Sequence, residues 1–225
     1  MTPARALDQL RAAGDPERAT TAAAYHKALR PYLGVPVPVI TALAKTWREE
    51  LSSPENRVAL AYGLWRSDIH EARVAAAKLL TQARIKDDDG VWALVHGWAA
   101  DFDAWAIADH ACDAINRRLI ANPARLDDIA PWTRSENLWV RRAALVVTLP
   151  WTKQNHPTSE DLAIRDRVLS WAETMADDRE WFIQKAIAWW LRDLSKHDAP
   201  RTRAWLDAHA HRLRAFARKE AAQYL

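Results

Sequence analysis

The sequence predicts an all-α protein in which antiparallel helix pairs stack one on another. Three observations carry that expectation. Only 5 of the 225 residues are glycine, too few to supply the tight turns of β-hairpins, while alanine, the best helix former, abounds. Capping residues followed by proline recur along the chain, a start signal specific to helices. One helical segment also returns in similar form further on.

The elements follow in order. Thr2-Pro3, Asp15-Pro16 and Ser53-Pro54 each open a helix, because a side-chain oxygen caps a free N–H and proline suits the first helical position. Gly14 and Gly34 follow the ends of the first two segments. In VPVPVITALAKTWREEL, Pro36 and Pro38 impose an extended approach to the helix that carries Leu43 and Trp47. Further helices are expected over 67–84, 89–100, 103–120, 123–133, 136–149, 159–175, 179–196, 199–212 and 214–224. The short loops between them favour antiparallel neighbours. With no strand alternation and no low-complexity linker, residues 1–225 read as one repeat domain.

The repeat is visible in the letters. LWVRRAALVVTL (138–149) overlies WFIQKAIAWWLR (181–192), which sets Arg142 on Lys185 and Ala143 on Ala186, and HEARVAAAKLL (70–80) is a looser copy. The offset suits HEAT and armadillo repeats. Such pairs bury their apolar faces only by stacking, so a HEAT-like solenoid with a concave surface is expected.

Net charge is +3, but residues 179–225 hold 10 Lys/Arg against 5 Asp/Glu, whereas residues 1–178 hold 22 against 24. A basic final quarter points to a polyanionic partner. A single cysteine, Cys112, excludes an intrachain disulfide and suits a reducing cytoplasm, where it reads as a small buried hydrophobe. No secretory or membrane-spanning apolar run is present, so a cytoplasmic protein is expected. The eight histidines are scattered without ligand spacing, and no glycine-rich phosphate loop or nucleophile elbow exists. Metal and nucleotide cofactors are therefore not expected.

Candidate functional residues come from helical spacing. Trp105 and Asp109, and Lys185 and Trp189, stand four apart; Trp189 and Arg192, and Trp139 and Arg142, stand three apart. Each pair shares one side of its helix. Any one such pair also fits an ordinary core edge beside a solvated guanidinium.

YHKALRPYLGVPVPVI, WAIAD, LWVRRAALV, FIQKAIAWWLRDLSK and RKEAAQYL occur in the order found in the AlkD-type DNA alkylation repair family, which the chain resembles over essentially its whole length. The resemblance implies a HEAT-like solenoid that binds duplex DNA in a basic concavity. It implies a DNA glycosylase that releases purines alkylated at N3 or N7. It puts the catalytic carboxylate on Asp109, the active-site tryptophans on Trp105 and Trp189, a lesion-proximal arginine on Arg142 and an amino-terminal aromatic on Tyr25. Lys185 and Arg192 match positions whose cations lie near the DNA backbone. The family motif often carries an acidic residue directly after the tryptophan; this chain has Ala106 there, with Asp103 two positions before Trp105.

These residue types suit the implied reaction. An N3- or N7-alkylated purine is cationic and leaves as a neutral base, so the developing positive charge lies on the sugar. A carboxylate stabilises that charge and orients water, and indole π-faces attract the same cation. No lysine is placed as a Schiff-base nucleophile, so a monofunctional enzyme is expected; the resemblance implies alkylated double-stranded DNA as its partner, and a solenoid of this kind is expected to act as a single chain. The alternatives are a non-catalytic HEAT-like module for damaged or branched DNA, and a protein-interaction scaffold.

Overall fold

A computed structural model describes residues 1–225 and contains thirteen α-helices, five short 3-10 segments and no strand. The helices are α1 (Pro3–Ala12), α2 (Pro16–His26), α3 (Val37–Glu50), α4 (Pro54–Arg66), α5 (His70–Leu79), α6 (Asp89–Gly97) and α7 (Trp105–Ala121). They continue as α8 (Leu126–Ile129), α9 (Leu138–Val146), α10 (Ser159–Thr174), α11 (Trp181–Ser195), α12 (Ala199–His209) and α13 (Ala215–Ala221). The chain gathers into two compact units, Met1–Ala121 and Asn122–Leu225.

The capping signals act as read. Thr2, Asp15 and Ser53 each accept the N–H three residues on, at 3.4, 3.0 and 3.3 Å. Boundaries differ where loops intervene. The helix expected from residue 67 starts at His70, because Asp68 takes a left-handed backbone (φ 55°) that separates α4 from α5. Pro38 lies inside the first turn of α3, where its missing N–H is harmless, so only Pro36 belongs to the extended approach. The helix expected over 123–133 is a short α-turn between two 3-10 segments, with Pro123 and Pro131 in their first turns.

In the first unit, α5 packs on α3, α4 and α7. Ala72, Ala75, Ala76 and Ala77 are all fully buried, since small side chains let neighbouring helices approach from several directions. Gly63 of α4 serves the same end: a Cβ there would lie 2.5 Å from the Pro3 ring of α1. Glu71 of α5 is buried and accepts the backbone N–H groups of Leu33 (2.9 Å) and Gly34 (2.7 Å), which pins the Leu-Gly-Val-Pro loop. Gly34 has φ +75°, and a Cβ would lie 2.1 Å from the Asp15 carbonyl oxygen, so only glycine fits.

In the second unit, α11 packs on α9, α12 and α13. Trp190 is fully buried and donates to Thr148 Oγ1 at 3.2 Å. The sequence echo has a structural counterpart. Gln184, buried, donates to the carbonyls of Ala176 and Asp178 and accepts the Arg214 N–H. Its equivalent Arg141 on α9 donates to the carbonyls of Ser135 and Glu136. Each holds the loop that precedes its own helix. Eight of the thirteen tryptophans are buried, so most serve the core. Cys112 is buried in α7. No helix is long and apolar enough to cross a membrane.

Candidate functional site

In the first unit, α7 begins at Trp105 and carries Asp109 one turn on, both half-buried. Ala106 faces inward and is buried. Asp103 is engaged by Arg30, which also pairs with Asp68 at 3.5 Å. Its carboxylate is thus tied to the loop that carries Arg30.

Trp105 stands in a group of rings from α2, the following loop and α5. Tyr25 meets it edge-on with centroids 5.9 Å apart, and His26 lies at 5.3 Å. His26 also stacks on His70 at 4.8 Å, and Tyr32 stacks on His70 at 4.8 Å. Tyr25 is 67% exposed, so its ring forms the outer edge of the group.

The histidines in this region are held neutral. Burial pushes His70 down to about 3, helped by the neighbouring cationic forms of His26, Arg30 and His110. Burial lowers His26 against the opposing charge of Glu71. Burial and Lys78 lower His110, against Asp113 and Asp109. The result is a wall of uncharged aromatic rings beside a carboxylate, a surface that attracts a cation.

In the second unit, Trp181, Lys185, Trp189 and Arg192 follow at spacings of four, four and three along α11, so they share one stripe. The Trp189 indole N–H donates to Asp193 Oδ2 at 3.0 Å. Asp193 Oδ1 accepts from Arg192 Nε and Nη2 at 3.3 and 3.2 Å. Glu220 of α13 pairs with Lys185 through Oε2 and with Arg192 through Oε1, each at 2.6 Å. On α9, Arg142 is only 5% exposed, whereas Lys185 and Arg192 are part-exposed. At the head of this stripe Trp181 stacks on Phe216 (5.6 Å, 19°), over which the Arg214 guanidinium lies, and beside it Trp139 packs on Phe182 (4.6 Å).

The structure thus sets Tyr25 against Trp105 and Lys185 beside Arg192 through a shared carboxylate. Sequence reasoning missed His26, His70 and His110, which are too far apart in the chain to signal a cluster. It also missed Glu220, 35 residues from Lys185. Asp193 was findable, because it stands four residues after Trp189 on one helical face.

Comparisons with known proteins bear on the fold and the family. The fold is similar to that of a predicted DNA alkylation repair enzyme from Enterococcus faecalis, with 24% identity, a TM-score of 0.78, and 94% of this chain and 96% of the other covered. It is also similar to AlkD2 from Streptococcus mutans (20% identity, TM-score 0.62, 84% and 90% covered). The smu.31 protein of Streptococcus mutans UA159 matches at 18% identity with a TM-score of 0.59, covering 84% and 98%. No curated protein matches. The family described as DNA alkylation repair enzyme matches residues 6–225, nearly the entire sequence. Taken with the all-helical fold, that match makes the chain a member of the DNA alkylation repair enzyme family.

Proposed function

We propose that the protein is a monofunctional DNA glycosylase that hydrolyses the N-glycosidic bond of N3- or N7-alkylated purines in duplex DNA. The observation that carries this reading is Asp109, a half-buried carboxylate one helical turn from Trp105 in a chain of the DNA alkylation repair family.

In this reading the substrate base is already cationic, so bond cleavage releases it as a neutral purine without a general acid. Asp109 stabilises the oxocarbenium character that grows on the sugar and accepts a proton from the attacking water. Trp105 and Trp189 offer π-faces to the cationic base and sugar, each contact worth about 0.5–2 kcal/mol. Tyr25 supplies a further aromatic contact. Lys185 and Arg192, both part-exposed, contact phosphates and position the duplex without reading its sequence; Arg142, nearly buried on α9, is the lesion-proximal arginine that the resemblance implies.

The neutral histidines fit the same chemistry. A protonated imidazole beside Trp105 would repel a cationic base, and burial of His26 and His70 opposes protonation.

The test is release of N7-methylguanine and N3-methyladenine from methylated duplex. Release by the wild type that is abolished in Asp109→Asn, with duplex affinity retained, is the expected result. Salt-sensitive duplex binding without any release would instead favour a non-catalytic DNA-binding module.

A further inference from the structure

Lys185 and Arg192 are part-exposed, yet both already hold an anion. Glu220 takes them through separate oxygens, Lys185 Nζ to Oε2 and Arg192 Nη1 to Oε1, each at 2.6 Å. The helix that carries Glu220 is anchored against α11, with Ala217 and Ala221 buried on the same side. Only 14% of the Glu220 side chain is exposed.

We propose that Glu220 is an intramolecular competitor of DNA: it occupies the place of a DNA phosphate in the free protein, so that Lys185 and Arg192 engage a backbone phosphate only by giving up an ion pair. This rests on the reading of both cations as phosphate contacts.

The chemistry of the exchange is matched. A carboxylate and a phosphodiester each offer two anionic oxygens to the same N–H donors, through the same charge-assisted hydrogen bonds. A free lysine or arginine that meets DNA releases a condensed counterion, and this release drives nearly all non-specific affinity. A cation that leaves Glu220 behind must instead strand a poorly solvated carboxylate, which then recruits a counterion of its own. The net release at that phosphate falls towards zero. Asp193 holds the remaining edge of Arg192, so the guanidinium stays aimed while its partner is exchanged. Damaged and undamaged duplex meet the same competitor, so Glu220 lowers the phosphate-driven part of affinity for both and leaves the contacts to the lesion untouched.

The experiment is fluorescence-anisotropy titration of an undamaged duplex over a range of NaCl concentrations. Glu220→Gln keeps shape and removes charge. It is expected to tighten binding roughly threefold to thirtyfold at low salt and to steepen the dependence of log K on log salt by about one unit. Both gains should vanish when Glu220→Gln is placed on Lys185→Gln/Arg192→Gln. Glu220→Asp, one methylene shorter and unable to span both cations, should fall between wild type and Glu220→Gln; it keeps the test available if the amide variant fails to fold. Unchanged or weaker binding by folded Glu220 variants, with normal wild-type binding, overturns the role of Glu220. Wild-type protein that shows no salt-sensitive duplex binding overturns the DNA reading beneath it.

Discussion

The indole N–H of Trp189 donates to Asp193 Oδ2 at 3.0 Å, one turn further along α11. That bond fixes the rotation of a ring proposed to face a cationic base. Asp193 is buried and also meets Arg192 and Lys196, so its charge and its acceptor oxygen do separate work.

Two substitutions divide those functions. Asp193→Asn keeps a carbonyl oxygen for the indole but removes the charge, whereas Asp193→Leu removes both. Base release should stay within about twofold of wild type in the first and fall about fivefold in the second, the value of one lost hydrogen bond. Duplex affinity should shift equally in both, because the lost charge is the same. Equal rates of release for the two variants would dismiss Asp193 as a positioning residue.

Glu71 is the second structural dependency. Its two oxygens accept the Leu33 and Gly34 N–H groups inside the first unit, and the loop they hold leads from the ring of Tyr32 into α3. Glu71→Ala leaves two backbone donors without partners and should cost about 2–4 kcal/mol, and Glu71→Gln, with one acceptor oxygen, about half of that. Urea unfolding measures both. An alanine variant within about 0.5 kcal/mol of wild type would show that water replaces the carboxylate without penalty.

These two residues also show what the letters could and could not convey. The Leu-Gly-Val-Pro segment marks itself, since Gly34 has a positive φ and Pro36 sets the approach to α3. Its partner Glu71 lies 37 residues beyond Gly34 and looks like any acidic residue in the first turn of a helix. Helices were legible because caps, prolines and apolar spacing are local. The stripe from Lys185 to Arg192 was legible for the same reason. The ion pairs to Glu220 and the stacking of His26 on His70 depend on which helices meet, and no local pattern encodes that. The echo between 138–149 and 181–192 lies between these cases. It aligned Arg141 with Gln184, and both hold their preceding loops, yet a guanidinium and an amide share no chemical type that a repeat search would match.

The histidine group makes stability depend on pH with a definite sign. His70 is depressed to about 3 from an ordinary value of 6.5, first by burial and then by His26, Arg30 and His110; His26 and His110 are lowered as well. In the unfolded chain these imidazoles take up protons as the pH falls through 6.5, while folded His70 does not until about 3. The unfolded state therefore binds more protons across that window, so stability is fully present above it and declines as the pH falls. Each such histidine contributes at most about 1.4 kcal/mol per pH unit. Asp161, Asp177 and Asp198 are lowered below the usual carboxylate value of 3.8 and erode stability in the same direction, but mainly below about pH 4.5. Glu55, lowered from 4.5 by its hydrogen bond to Ser53, acts in the same direction, so denaturant unfolding from about pH 6.5 to 5.5 reads chiefly the imidazoles. His70→Phe keeps a ring against His26 and Tyr32 but takes no proton, so its stability should fall less steeply with acid by close to one proton. Parallel slopes for wild type and His70→Phe would mean that His70 opens to water and titrates in the folded protein, and that the ring wall beside Trp105 is not closed to protons.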